Sequence, residues 1–233
     1  MPRVAPFYAV KCNPQPALLR LLAALGAGFD CASKAELEAV MALGVPQDRI
    51  IFAHPCKRPL DLRFAAAAGV RLTTFDCEGE LSKVQELWPT AELVLRLRCD
   101  DPEARVPLGL KYGADPSEAH RLLAAAKSLG LRVVGVSFHV GSSCKNLGAF
   151  ERAISSARAA FDQGLALGHD MRLLDIGGGF TGRFDQSGCV VISEIARAVN
   201  AAVNAHFPVE GGVRLIAEPG RYFAEASAVL AAH

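Results

Sequence analysis

The chain has 233 residues, 51% of them hydrophobic, with 25 basic and 24 acidic side chains and a formal net charge of +1. That length suits one large domain, or one domain and the start of another, and the evenly scattered charge offers no basic run to a nucleic acid. No apolar stretch reaches more than about half a membrane span, residues 1–6 lack the apolar core of a signal peptide, and seven scattered cysteines (12, 31, 56, 77, 99, 144 and 189) without a Cys-x-x-Cys pair read as reduced thiols of a cytoplasmic protein, neither a disulfide frame nor a metal site.

In chain order, short apolar strands are expected at 7–10, 28–31, 50–53, 72–75, 93–97, 133–139, 173–176 and 215–218. Alanine- and leucine-rich helices are expected at 16–25, 34–43, 60–68, 78–87, 116–129, 148–167 and 193–206. The strands are nearly continuous apolar runs, as a parallel sheet covered on both faces requires. Ser33 with Glu36 three residues on forms a capping box, and Gly26, Gly44, Gly69 and Gly130 fall where helix C-terminal caps belong. About eight strand–helix units in this length fit an α/β fold of the TIM type, a (β/α)8 barrel, better than a doubly wound sheet. The polar, proline-bearing stretch Cys99–Gly113 is the expected insertion.

Barrel chemistry sits at the C-terminal ends of strands. The residues closing the strands are Lys11, Asp30, His54, Asp76, Arg96, His139, Asp175 with Gly177–Gly179, and Glu218 with Arg221. Lys11 ends the apolar run Pro6–Val10. Burial there disfavours the ammonium and lowers its pKa, which suits a Schiff-base amine; the alternative is a lysine whose head snorkels from a strand end. Three successive glycines let a backbone approach a phosphate, or simply make a turn. Arg221 can pair with a phosphate or with Glu218 at i,i+3. His139 can stack on a planar ring or serve structure, and Ser142 can donate to a phosphate oxygen. Asp30 and Arg96 can equally make a structural bond across the rim. Taken together, a strand-end lysine, an anion cradle with an arginine, a carboxylate for a ring nitrogen and a stacking histidine meet the needs of pyridoxal 5'-phosphate.

These residues carry a resemblance. Pro6–Asn13 (PFYAVKCN), Gly28–Glu36 (GFDCASKAE), Ser137–Ser142 (SFHVGS), Leu174–Phe180 (LDIGGGF) and Ile216–Phe223 (IAEPGRYF) occur in the order found in the fold-type III pyridoxal-phosphate-dependent amino-acid decarboxylases. The chain is similar above all to the eukaryotic ornithine decarboxylases, with Val106–Gly113 closer to the plant and algal ones. The resemblance implies an alanine-racemase-like barrel. In it Lys11 carries the cofactor, Glu218 faces the pyridine nitrogen and His139 stacks on the ring. Ser142, Gly177, Gly178, Gly179 and Arg221 hold the phosphate, while Asp30, Glu36 and Arg96 support the network and Lys111 lies in an interface loop.

It also implies decarboxylation of L-ornithine to putrescine, a homodimer, and antizyme as a further partner. Lysine, arginine or diaminopimelate remain alternative substrates. A non-catalytic regulator of the antizyme-inhibitor type and a small pyridoxal-phosphate homeostasis protein remain alternative functions. Members of the family carry a C-terminal β-domain that supplies the proton-donating cysteine and the substrate-reading acids. The expectation is therefore a truncated chain: residues 1–223 as the barrel, 224–233 as the start of a connection, and little or no turnover alone.

Overall fold

The computed structural model describes residues 1–99, 111–142, 146–182 and 192–227. Its elements are β1 (Val4–Ala9), α1 (Pro16–Ala24), β2 (Gly28–Cys31), α2 (Lys34–Met41), β3 (Ile50–Phe52), α3 (Pro59–Ala67), β4 (Leu72–Phe75), α4 (Glu78–Leu87), β5 (Glu92–Leu97), α5 (Ala119–Ser128), β6 (Arg132–Phe138), α6 (Leu147–Ala166), β7 (Leu173–Asp175), α7 (Ile192–His206), β8 (Arg214–Ala217) and α8 (Arg221–Ala224). All neighbouring strands pair in parallel, and β8 returns to β1 through Val4↔Leu215 and Pro6↔Ala217, closing an eight-stranded barrel. The expected (β/α)8 architecture is the observed one.

Alternation along each strand divides two cores. One face of each strand meets the helices: Tyr8, Phe29, Phe52, Phe75, Leu95 and Leu174 are among its buried residues. The other face fills the barrel with Phe7, Ile51, Ala53, Leu72, Val94, Val134, Leu173 and Ile216. Each fully buried side chain of this size contributes about 1.5–3 kcal/mol. Gly28 leaves room for the Phe7 ring, because a Cβ there would sit 2.7 Å from it.

Helix ends follow the expected chemistry. Ser33 Oγ accepts from Glu36 N at 3.3 Å, while the Glu36 carboxylate reaches one residue further back, to Ala32 N at 2.7 Å. Gly26, Gly44, Gly69 and Gly130 all have positive φ just past a helix. The expected helix at 116–129 begins as a 3-10 turn over Pro116–Glu118 and becomes α-helical at Ala119, since Pro116 favours a tight first turn. Most of the expected insertion and of Val106–Gly113 (residues 100–110), together with Cys144 and Cys189, lies outside the described residues, and Cys12, Cys31, Cys56 and Cys77 are free thiols.

One irregularity positions the site. The β5–β6 register shifts between Leu93 and Val94: Leu93 faces Val133, but Val94 faces Gly135. Val134 already lies in the inner core, so two consecutive residues of β6 point inward. Gly135 is the residue that permits this, because a Cβ would stand 2.2 Å from Leu173 O. A bulge reverses the alternation beyond it. Val136 and Phe138 therefore join the outer core, and Ser137 and His139 turn toward the barrel axis.

Candidate active site

Followed toward the C-terminal ends, the inward positions change from apolar to polar. Above the inner core stand Asp30 on β2, Thr74 on β4, Arg96 on β5, Ser137 on β6, Asp175 on β7 and Glu218 just past β8. Asp30, Thr74, Ser137, Asp175 and Glu218 are all buried. Four of their atoms have no hydrogen-bond partner among the described residues: Asp30 Oδ1, Thr74 Oγ1, Ser137 Oγ and Asp175 Oδ2. Buried polar atoms are ordinarily paired, so their concentration in one layer marks a functional floor. Above it opens a cavity of about 210 Å3 lined by Lys11, His139, Ser142, Gly178, Glu218 and Arg221, among others. A hollow of the same volume on the barrel flank, lined by Val4, Pro6, Ala217 and Phe223, has no ionisable side chain beyond the phenol of Tyr222 among the described residues.

Lys11 is not part of β1. It lies on the 3-10 turn Val10–Cys12 that follows. Its Nζ donates to Asp30 Oδ2 at 2.8 Å, with the Lys11 side chain 52% accessible and the Asp30 side chain fully buried. The expectation of a lowered pKa is corrected here. Burial does pull the amine down, but the charges of Asp30 and Glu218 outweigh it and hold the ammonium above the ordinary lysine range. The sequence showed the apolar strand but not the two carboxylates opposite the amine.

The acids shift the other way. Burial, with the neighbouring Asp30, pushes Asp175 up to about 7. Burial and the charges of Asp175 and Asp30 push Glu218 well above the usual carboxylate range. His139 is held at about 3 by burial, with the Arg96 and Lys11 charges adding to it, so its ring is neutral at physiological pH. Its Nδ1 accepts from Gly141 N at 3.0 Å.

The glycine run has divided duties. Gly177 has φ +63, and its N–H is committed to Asp175 Oδ1 at 2.8 Å while its carbonyl accepts from Glu218 N at 2.7 Å. The N–H groups of Gly178 and Gly179 have no partner among the described residues. A Cβ on Gly178 would lie 2.7 Å from His139 Nε2, so the backbone packs against that ring. Arg221 pairs with Glu225 at 3.4 Å, not with Glu218, because Glu218 faces the barrel axis.

Lys11, Asp30, Arg96, His139, Ser142, Gly178, Gly179, Glu218 and Arg221 thus converge, whereas Gly177 shapes the turn. Glu36 caps α2, and Lys111 is exposed. Arg96 lies over the Tyr112 ring at 5.4 Å, and His54 meets the same ring edge-on at 5.4 Å. Asp76 accepts from Gly113 N at 2.8 Å. Sequence reasoning placed Asp175 at the rim without giving it a role, and it missed Thr74 and Ser137. A polar residue inside an apolar strand was the available signal.

This geometry agrees with what the chain resembles. The model of the pyridoxal-dependent decarboxylase family, pyridoxal binding domain, matches residues 1–225, and the chain belongs to that family. Over 231 residues it is 49% identical to ornithine decarboxylase of Rattus norvegicus, covering 99% of this chain and 50% of the relative. It is 48% identical to antizyme inhibitor 2 of Xenopus laevis, again over 99% of this chain and half of the relative. The crystal structure of the Paramecium bursaria Chlorella virus arginine decarboxylase superposes with a TM-score of 0.92 at 44% identity, over 97% of this chain and 60% of that one. The chain thus spans about half the length of the curated relatives it matches.

Pyridoxal phosphate is the cofactor of the family, and the residues fit it. The glycine cradle that a Cβ would fill, the arginine beside it, the orphaned carboxylate oxygens and the amine on the cavity wall are what a phosphorylated pyridine aldehyde requires.

Proposed function

We propose that the chain forms the cofactor-binding part of a pyridoxal-phosphate-dependent amino-acid decarboxylase, with L-ornithine as substrate and putrescine and carbon dioxide as products. The observation that carries this reading is the Lys11 amine, held 2.8 Å from Asp30 on the wall of the cavity shared by His139, Gly178, Glu218 and Arg221. When bound, the cofactor supplies an electron-withdrawing ring that takes up the electron pair left as carbon dioxide departs.

The chain's own residues do the rest. Asp30 aims the Lys11 amine and accepts its hydrogen bond. Lys11 must lose a proton before it attacks a carbonyl. The N–H groups of Gly178 and Gly179, unpaired among the described residues, make the anion-binding end of the cavity with the Ser142 hydroxyl and Arg221. His139 presents an uncharged flat face. Glu218 holds a proton for a ring nitrogen, and Arg96 offsets the carboxylates around it.

Lysine, arginine and diaminopimelate are the alternative substrates, and the relatives include both ornithine and arginine decarboxylases. Residues 1–223 make the barrel unit in this reading, 224–233 lead out of it, and the working assembly is a cytoplasmic homodimer. No helix is long and apolar enough to cross a membrane among the described residues. The second reading, a regulator that binds antizyme, draws support from the 48% identity to antizyme inhibitor 2.

The visible absorption of the purified chain titrated with pyridoxal phosphate separates the two. The decarboxylase reading expects a band that is lost in Lys11→Ala. Folded protein without such a band sinks that reading and favours the regulator.

A further inference from the structure

We infer that Asp175 is a positioning residue for Glu218, and that the two carboxyl groups hold one proton between them in the resting barrel. Register comes first. Asp175 on β7 pairs with Ile216 on β8, and Ile216 points inward, so Asp175 and Glu218 emerge on the same inner face of adjacent strands. Gly177 then ties them together, donating to Asp175 Oδ1 at 2.8 Å and accepting from Glu218 N at 2.7 Å. That leaves Asp175 Oδ2 buried, with no donor while both groups are ionised. A proton between the carboxyls gives this oxygen its partner, the Glu218 side chain. An orphaned buried acceptor is costly, and the shared proton removes the cost.

Charge counting agrees. The groups facing the pair are Asp30 from β2, Lys11 from the turn after β1, Arg96 from β5, and Ser137 with the neutral His139 from β6. Three carboxylates against two cations leave one negative charge in excess. Lys11 is already bonded to Asp30, so Arg96 stands as the cation left for the pair. One proton neutralises the cluster. Two carboxylates sharing a buried site behave in this way, titrating as a unit. The raised affinity for protons at both groups follows.

The consequence for cofactor binding rests on the reading of Glu218 as the ring-nitrogen partner: the pair then stores the proton that a pyridine nitrogen needs. The pairing itself is a property of the cofactor-free chain and is tested there. Infrared spectroscopy of the folded, cofactor-free protein at about pH 8, above the value near 7 at Asp175, is expected to show the C=O band of the one carboxyl group still protonated. Asp175→Asn keeps an acceptor for Gly177 N–H and removes one negative charge, so Glu218 ionises and the band disappears. It also disappears in Glu218→Gln.

Stability gives the second readout. Both groups bind protons more tightly in the folded than in the unfolded chain, so their contribution is complete below about pH 4; the Asp175 part is lost as pH rises through about 7, and the Glu218 part as pH rises through its own raised folded value. The unfolding constant of the parent relative to Asp175→Asn is expected to rise up to about tenfold per pH unit across that window. Histidines titrating nearby cancel in the comparison. A band of full intensity in Asp175→Asn overturns the pairing, as does a parent whose pH profile parallels the variant. If that variant does not fold, the parent decides against Glu218→Gln: no protonated-carboxyl band in the folded parent overturns the proposal. A band present in a barrel that takes up no pyridoxal phosphate keeps the pair and rejects only the function.

Discussion

The two ends of the barrel handle buried charge in opposite ways. At the N-terminal end, Glu92 opens β5 and is almost fully buried. Arg71 reaches it at 2.6 Å, Arg172 at 2.9 Å and Arg132 at 3.2 Å. Burial works to raise this carboxyl, but the Arg71 hydrogen bond and the three guanidinium charges override it and hold its pKa down. At the C-terminal end, Asp30, Asp175 and Glu218 crowd around Lys11 and Arg96, and oxygens are left without donors. The same strands run through both ends. One end pairs its buried carboxylate fully and contributes stability, and the other keeps unsatisfied groups, which is how a site stays reactive toward something that arrives later.

The sharpest break of this contrast is at Lys11. Lys11→Ala is expected to eliminate the cofactor band altogether, because no other amine among the lining residues can replace it; a titration that still produces the band points to another lysine. Gly178→Ala comes next. Its Cβ would stand 2.7 Å from His139 Nε2 and 3.0 Å from Glu218 O. Affinity for pyridoxal phosphate should fall about 10- to 100-fold, or ~1.4–2.8 kcal/mol, with circular dichroism unchanged.

At the other end, Glu92→Gln should leave cofactor binding intact and lower stability by about 1–3 kcal/mol in denaturant titrations, since three arginines lose their shared acceptor. The arginines are 38–61% accessible, which keeps the loss in the lower half of that range. Because the Glu92 pKa is depressed in the fold, its contribution is present above about pH 4.5 and is lost as pH falls through the folded value, the reverse of the Asp175–Glu218 window. The smallest effect belongs to Lys34→Ala. It removes the exposed pair with Glu38 at 3.5 Å and the ammonium 5.0 Å from the Phe64 ring centroid, and a change above about 1 kcal/mol would mean that these surface contacts matter more here than their exposure allows.

Much of this was legible in the residues, for reasons that can be named. A strand covered on both faces is nearly continuously apolar, so the runs at 50–53 and 93–97 read directly as β3 and β5, to within a residue at their ends. The rim residues were legible because a polar group after such a run has only one place to go. What could not be read were relations across space. The Lys11 shift changes sign because Asp30, 19 residues away, lies 2.8 Å from it. His139 faces the cavity only because of the bulge at Gly135, and a register slip leaves no trace in a periodic pattern beyond a glycine inside a strand. Asp175 looked like the end of β7; its bond to Gly177 and its nearness to Glu218 depend on how β7 meets β8.

Closure of the sheet has a consequence for how this chain meets others. A sheet that ends offers a row of unused N–H and C=O groups to any passing strand, and open edges are a common route to unwanted polymerisation. Here β8 closes on β1, so no strand of the barrel has such an edge. Association with a second copy or another protein must be written in side chains on helices and loops, where single substitutions can tune it, and not in backbone, where they cannot.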